Sequence, residues 1–207
     1  MGRSIGPRNK IARRFGVNLG LKTNAVKVAK RLAQPPGVHG PKKRKGADSS
    51  YGKQLIEKQK AKIIYGMRER QFHRYVKMVT EKTGDSGVAL QQMLEMRLDN
   101  VVYRMGFADT RAQARQMTTH RMFCLNGKPM NIPSHVVSPG DVITVKPNKQ
   151  KKKLFENLSE KLSKKEFPSW VSVDAQKMTG KVLGNPGMDD VEKVFDVKLI
   201  IEYYSTR

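Results

Sequence analysis

Asn126-Gly127, set between the apolar run Phe123-Cys124-Leu125 and Lys128, constrains this fold more than any other dipeptide in the chain. The tight two-residue hairpin turn needs φ > 0 at both central positions, which glycine adopts freely and asparagine tolerates. A hairpin is therefore predicted here, and Pro139-Gly140 turns the chain again before the β-rich run Val142-Ile143-Thr144-Val145. Upstream, Leu90, Met93, Leu94, Leu98, Val101, Val102 and Met105 read as one apolar helix face, stopped by Gly106. Thr110-Arg111-Ala112-Gln113 then fits a capping box that opens a second helix. From Leu94 to Lys146 the pattern is a helix pair packed on a small antiparallel sheet.

That module is rich in arginine. Arg97 and Arg104 are seven residues apart and share one helical face, as do Arg111 and Arg115, four apart. A guanidinium fork bonds a phosphate bidentately, and the N–H groups of a helix start add to the anion field. The competing account is a salt-bridged or solvated face. Asp109 is the nearest acid, and one carboxylate cannot neutralise Arg111, Arg115 and Arg121 together. The arginines are therefore expected to point at a polyanion. On this reading, Arg111→Ala with Arg115→Ala weakens RNA binding and leaves the module folded.

The overall charge agrees. Among 207 residues, Lys and Arg number 41 and Asp and Glu 18, a net +23. A surplus of this size calls for a polyanionic partner, nucleic acid or an anionic membrane. No run approaches the roughly 20 apolar residues of a spanning helix. The N-terminus lacks the apolar core of a signal peptide, and Gly6 stands where a myristoylation site has Ser or Thr. A cytoplasmic chain without a membrane partner is the expectation. Cys124 is the sole cysteine, read as a small packed residue of a strand, and His39, His73, His120 and His135 show no ligand spacing. No metal, cofactor or small-molecule substrate is expected.

Charge is unevenly placed along the chain. Met1 to Ala47 contains no acid, while Arg3, Arg8, Arg13, Arg14, Lys27, Lys30, Arg31 and the run Lys42-Lys43-Arg44-Lys45 are basic. Pro35-Pro36-Gly37 and Gly40-Pro41 break helices. This arm lacks apolar surface for a core of its own and is expected to fold against its partner. Asp48 or Ser49 caps a helix through Leu55, Ile56, Ile63 and Ile64, interrupted at Gly66. A following helix buries Phe72, Tyr75, Val76 and Val79 and turns Arg68, Arg70, Gln71 and Arg74 outward. Thr83 to Gly87 is a loop and a domain junction. After the basic connector Lys146 to Lys153, Leu154, Leu158 and Leu162 have helical spacing, Trp170, Val171 and Val173 read as a strand, and Leu199-Ile200-Ile201 as a buried run.

These residues carry a resemblance. Arg97-Leu98-Asp99-Asn100-Val101-Val102-Tyr103-Arg104, then Thr110-Arg111 with Arg115-Gln116, then Asn126-Gly127, resemble the RNA-binding domain named after small-subunit ribosomal protein S-four. The flanks resemble the ribosomal family itself: Pro36 to Gly40, Tyr51 to Lys60, Tyr65 to Phe72, Pro168 with Trp170, Val173-Asp174, Lys177-Met178 and Leu199 to Ser205. The chain has no N-terminal cysteines and so resembles the zinc-free bacterial-type branch. Gly184 to Val191 fits the family poorly.

The resemblance implies an α+β chain in three parts: a basic extension over 1–46, a helical domain over 47–93 completed by about 187–207, and the inserted domain over 94–186. It implies a structural, non-enzymatic component of the small ribosomal subunit that binds 16S rRNA in its 5′ domain and starts assembly. Implied further partners are protein S-five and messenger RNA where it enters the subunit, with an effect on decoding accuracy and repression of its own messenger. The expected RNA contacts are Arg3, Arg13, Arg14, His39, Lys42, Lys43, Arg44 and Lys45 in the extension. In the helical domain they are Tyr51, Gln54, Lys58, Lys62, Arg68 and Arg70, and in the inserted domain Arg97, Arg104, Arg111, Arg115, Gln116 and Lys128. The rival is a pseudouridine-synthase-like enzyme, whose catalytic aspartate motif Arg97-Leu98-Asp99 echoes. Asp99, however, falls inside the helix pattern, where a helix-terminal or helix–helix salt bridge is the better account. A free RNA chaperone is the third reading, and it leaves the flanking matches unexplained.

Overall fold

The computed structural model describes residues 6–38, 40, 49–187, 190–191 and 194–206. Arg3, His39, Lys42, Lys43, Arg44 and Lys45 lie outside the described residues. The chain forms two compact units, Met1–Leu90 with Glu192–Arg207, and Gln91–Val191.

In the first unit the acid-free arm carries two helices, α1 (Arg8–Phe15) and α2 (Ala25–Leu32), packed on each other. These two helices are not among those expected from the sequence. Ala12, Leu19 and Val28 bury a small apolar contact, and both helices precede the Pro35-Pro36 break. Arg13, an expected RNA contact, holds the end of the arm: its Nε donates to the Gln34 carbonyl at 2.6 Å and its Nη2 to the Pro35 carbonyl at 3.0 Å.

Helix α3 (Ser50–Ile64) begins at Ser49, whose hydroxyl accepts the Gly52 N–H, so Ser49 rather than Asp48 is the cap. Gly66, at φ 60, separates it from α4 (Glu69–Thr80), which buries the foreseen face of Phe72, Tyr75, Val76 and Val79. The chain returns to this unit as its last helix, α10 (Val197–Ser205), packed on α3 and α4. Of the run Leu199-Ile200-Ile201, only Ile200 is fully buried. A helix winds successive residues around its axis, so one of three faces the core.

The expected single helix through Leu90 and Met105 is broken. Helix α5 (Ser86–Glu95) ends, Arg97 turns extended at φ −70, ψ 137, and α6 (Leu98–Arg104) starts afresh. The cause is backbone pairing with a distant loop. The Met96 carbonyl accepts from Val137 at 2.8 Å, and Leu98 and Asp99 donate to the His135 and Pro133 carbonyls at 2.8 and 3.1 Å. Gly106, at φ 79, closes the stretch as expected.

Thr110 caps α7 (Arg111–Thr119), accepting the Gln113 N–H at 3.2 Å. The reciprocal bond of the capping box is displaced by one residue: the Gln113 side chain accepts from the Asp109 N–H at 2.9 Å. Strands β1 (Phe123–Leu125) and β2 (Lys128–Met130) flank the hairpin turn, with Asn126 at φ 49 and Gly127 at φ 78. They join β3 (Val142–Val145), β4 (Val171–Asp174) and β5 (Thr179–Val182) in an antiparallel sheet ordered β2-β1-β3-β5-β4. Two short helices, α8 (Pro147–Gln150) and α9 (Leu158–Ser163), lie between β3 and β4. Leu98, Val101, Val102, Met105, Phe123, Ile143, Val145, Phe155, Leu162 and Val182 share one apolar core.

Candidate nucleic-acid interface

The arginines of the second unit meet at the junction of α5, α6 and α7, and two buried carboxylates organise them. Glu95, the last residue of α5, is fully buried and accepts Arg104 Nε at 2.8 Å and Nη2 at 3.0 Å. It also takes the Asn100 amide at 2.7 Å and stands 3.9 Å from Arg111 Nη2. Arg111 Nε donates to Asn100 Oδ1 at 2.8 Å, so Asn100 relays Glu95 to α7. Asp99, in the first turn of α6, is gripped by Arg97 at 2.8 and 3.1 Å and by Arg115 at 2.9 Å. Buried charges persist only when paired and hydrogen-bonded, and each one here is.

This geometry corrects the picture of arginines aimed outward. Arg97 is fully buried and Arg111 is 9% exposed, while the Arg104 and Arg115 side chains are 14% and 13% exposed. Asp109 pairs with Lys161 at 3.5 Å. The charge count on α7 set only Asp109 against the arginines and left Glu95 and Asp99 out of it. Asp99 has the role argued for it, at once a helix-terminal and a helix–helix salt bridge. The lattice still keeps four guanidiniums against two carboxylates. Its residual field is positive, and it is rigid.

In the first unit a second ionic cluster forms around Glu69. Lys58 donates to it at 2.8 Å, Lys62 at 3.0 Å and the Tyr204 hydroxyl at 2.6 Å. Burial would raise the Glu69 carboxyl, yet these three donors, Lys58 foremost, hold it down to about 2. Partial burial and the Glu69 carboxylate together push the Tyr204 phenol up. Lys58, an expected RNA contact, is buried, with its ammonium 4.3 Å from the Tyr203 ring centre. It works inside the unit, as does Gln54, which bonds Glu202 at 3.3 Å. Tyr51 is 46% exposed and stacks on Tyr203 at 5.9 Å.

Of the remaining expected contacts, Arg14, Arg68, Arg70, Gln116 and Lys128 are exposed. The structure adds cations outside that set. Arg74 is exposed on α4, Arg121 follows α7 at φ 54, and Lys151, Lys152 and Lys153 are exposed after α8. The last three carry a readable signal, since a basic run in a connector is what a phosphate-facing loop requires. Lys165 carries none. Among the described residues no group of three or more His, Cys, Asp or Glu side chains could hold a metal, and no helix is long and apolar enough to cross a membrane.

Comparison with known proteins finds two families along the chain. The family described as Ribosomal protein S4/S9 N-terminal domain matches residues 3–95, and the family described as S4 domain matches residues 96–143. The chain is 46% identical over 210 residues to small ribosomal subunit protein uS4 of Herpetosiphon aurantiacus, and that alignment covers 99% of this chain and all of the relative. It is 44% identical over 207 residues, with the same coverage, to the uS4 proteins of Roseiflexus castenholzii and of Halorhodospira halophila. With both families matched in tandem and full-length relatives above 40% identity, the chain belongs to the small ribosomal subunit protein uS4 family.

Proposed function

We propose that this chain binds 16S rRNA in its 5′ domain and holds RNA helices together early in small-subunit assembly. Its family is one of structural, non-enzymatic ribosomal proteins, so the work lies in binding and rigidity. The observation that carries the reading is the arginine lattice, in which four guanidiniums from α6, α7 and the turn before α6 are fixed by two buried carboxylates. A cation held in place loses little side-chain entropy when a phosphate arrives, and low local dielectric strengthens its pull. RNA helices that repel one another can be bridged by such a body.

The RNA contacts we assign first are the exposed groups: Arg14, Arg68, Arg70, Tyr51, Gln116 and Lys128. Arg104, Arg111 and Arg115 act from largely buried positions, Arg97 braces Arg115 through the shared Asp99, and Lys58 acts within the first unit through Glu69. Arg3, His39 and Lys42 to Lys45 belong to the same reading through the charge of the extension. Phosphate and shape recognition dominate over base reading, as folded RNA offers mostly backbone and minor groove. Contacts with protein S-five and with messenger RNA where it enters the subunit, and an effect on decoding accuracy, are further parts of this proposal. They rest on the family resemblance.

The test is sedimentation of a cell extract, followed by footprinting of a 5′-domain transcript with purified protein. Co-migration with small subunits and protection at a multi-helix junction is the expected result. A protein that stays at the top of the gradient and protects nothing would overturn the proposal.

A further inference from the structure

Lys165 lies two residues beyond α9 (Leu158–Ser163) and far in sequence from the arginines, yet it joins them in space. Its Nζ is 3.5 Å from the Tyr103 carbonyl oxygen, the long end of a hydrogen bond, and 5.6 Å from the Tyr103 ring centre. The Arg111 guanidinium carbon sits 4.6 Å from the same ring centre. Arg104, the next residue, is clamped on Glu95. Tyr103 is thus a shared platform for cations from α7 and from the segment after α9, with a third beside it on α6.

Glu95, which is buried, is shared between Arg104, which bonds it, and Arg111, 3.9 Å away. Asp109, the acid that attracts Lys165, is already paired with Lys161 at 3.5 Å. Burial of the ammonium, then repulsion from Arg104, push Lys165 below the ordinary lysine range, with Asp109 pulling the other way. A cation held against other cations at a surface is a place where an anion gains much and costs little.

We propose that Lys165, with Arg104 and Arg111 around Tyr103, forms a binding site for a backbone phosphate of RNA. The site deepens the RNA-binding function argued above and rests on it. Arg104 and Arg111 are fixed by Glu95 and Asn100, so they supply a rigid positive wall. Lys165 lies at the surface with its ammonium partly buried against Tyr103, and it supplies the third donor. Tyr103 is half-buried and spaces the cations apart.

The experiment titrates salt in the binding of a 5′-domain transcript to the full chain, to Lys165→Gln and to Lys165→Arg. Lys165→Gln is expected to weaken binding by about 3- to 10-fold at 0.1 M salt and to lower the salt slope by about one, with Lys165→Arg restoring most of both. In the wild-type chain, amine acylation read by mass spectrometry should fall at Lys165 when RNA is bound. Unchanged affinity and slope in Lys165→Gln, or equal acylation with and without RNA, would overturn the site while leaving the wider function standing. A wild-type chain without salt-sensitive binding would overturn both.

Discussion

Arg115 donates from α7 to Asp99 on α6 at 2.9 Å, and this bond ties the second helix of the module to the first turn of its neighbour. Asp99 is shared with Arg97, which is fully buried. Removing the carboxylate strands that guanidinium inside the protein. Asp99→Ala is expected to destabilise the second unit by about 3–5 kcal/mol, the usual cost of breaking a buried pair from one side. Urea unfolding followed by circular dichroism measures it. A loss under about 1 kcal/mol would mean that water reaches Arg97, since exposed pairs contribute no more than that.

The same lattice reverses the expectation for α7. Arg111 and Arg115 looked like surface groups whose loss would spare the fold. Arg111 bonds Asn100 and approaches Glu95, and Arg115 bonds Asp99, so both carry structure. Arg111→Ala with Arg115→Ala is expected to lower the thermal midpoint by several degrees as well as weakening RNA binding. Differential scanning calorimetry of the free protein separates the two effects. An unchanged midpoint would return these arginines to the surface role.

How much of this was legible in the sequence depends on the range of the interaction. The Asn126-Gly127 turn, the buried face of α4 and the Thr110 cap are local patterns, and all three stand as read. The break at Arg97 was not legible. Periodicity through Leu98 and Met105 continues across it, while its cause is pairing with residues 133–137. The lattice was missed for a related reason. Glu95 lies in the preceding helical pattern, where an acid looks like solvated surface; Asp99 was legible as a salt-bridge residue, but only the fold carries α7 and Arg115 across it. Lys165 is the extreme case, a lysine in an ordinary polar stretch brought to Tyr103 across 62 positions.

The hairpin offers a sharper test of a local reading. Asn126 holds a left-handed conformation while its side chain accepts the Val142 N–H at 2.8 Å and donates to Asp141 at 2.7 Å. Asn126→Ala loses both bonds and places a Cβ-bearing residue with no local hydrogen bond at φ > 0, a cost of about 2 kcal/mol. Asn126→Gly keeps the conformation and loses only the bonds, so it should fall between alanine and wild type. Thermal melts of the three chains give the order, and a glycine variant less stable than alanine would contradict it.

Acid stability should trace to Glu69. Its carboxyl titrates near 2 in the folded chain against an ordinary 4.5. A depressed carboxylate contributes stability that is fully present above the ordinary value and is lost as pH falls from there through the folded value. The window is therefore about pH 4.5 down to 2. The thermal midpoint of the wild type should decline across this range more steeply than that of Glu69→Gln, whose neutral amide does not titrate. Parallel acid limbs would show that Lys58, Lys62 and Tyr204 do not bind the charged form selectively.

Salt dependence of RNA binding tests the electrostatic mechanism as a whole. A chain of net +23 displaces counterions from every phosphate it neutralises. With about six phosphates engaged, the logarithm of the affinity falls by roughly five units per decade of salt, or on the order of 10³-fold between 50 and 200 mM. Filter binding to a 5′-domain transcript at four salt concentrations is sufficient. Because Arg97 is fully buried against Asp99, the groups that set this slope should be the cations that reach the surface, among them Arg68, Arg70 and Lys128. Arg70→Gln should lower the slope by about one without moving the thermal midpoint, whereas Arg97→Gln should lower the midpoint and leave the slope of the molecules that remain folded unchanged. The opposite assignment, with Arg97 setting the slope and Arg70 the stability, would contradict the division between clamped and exposed cations.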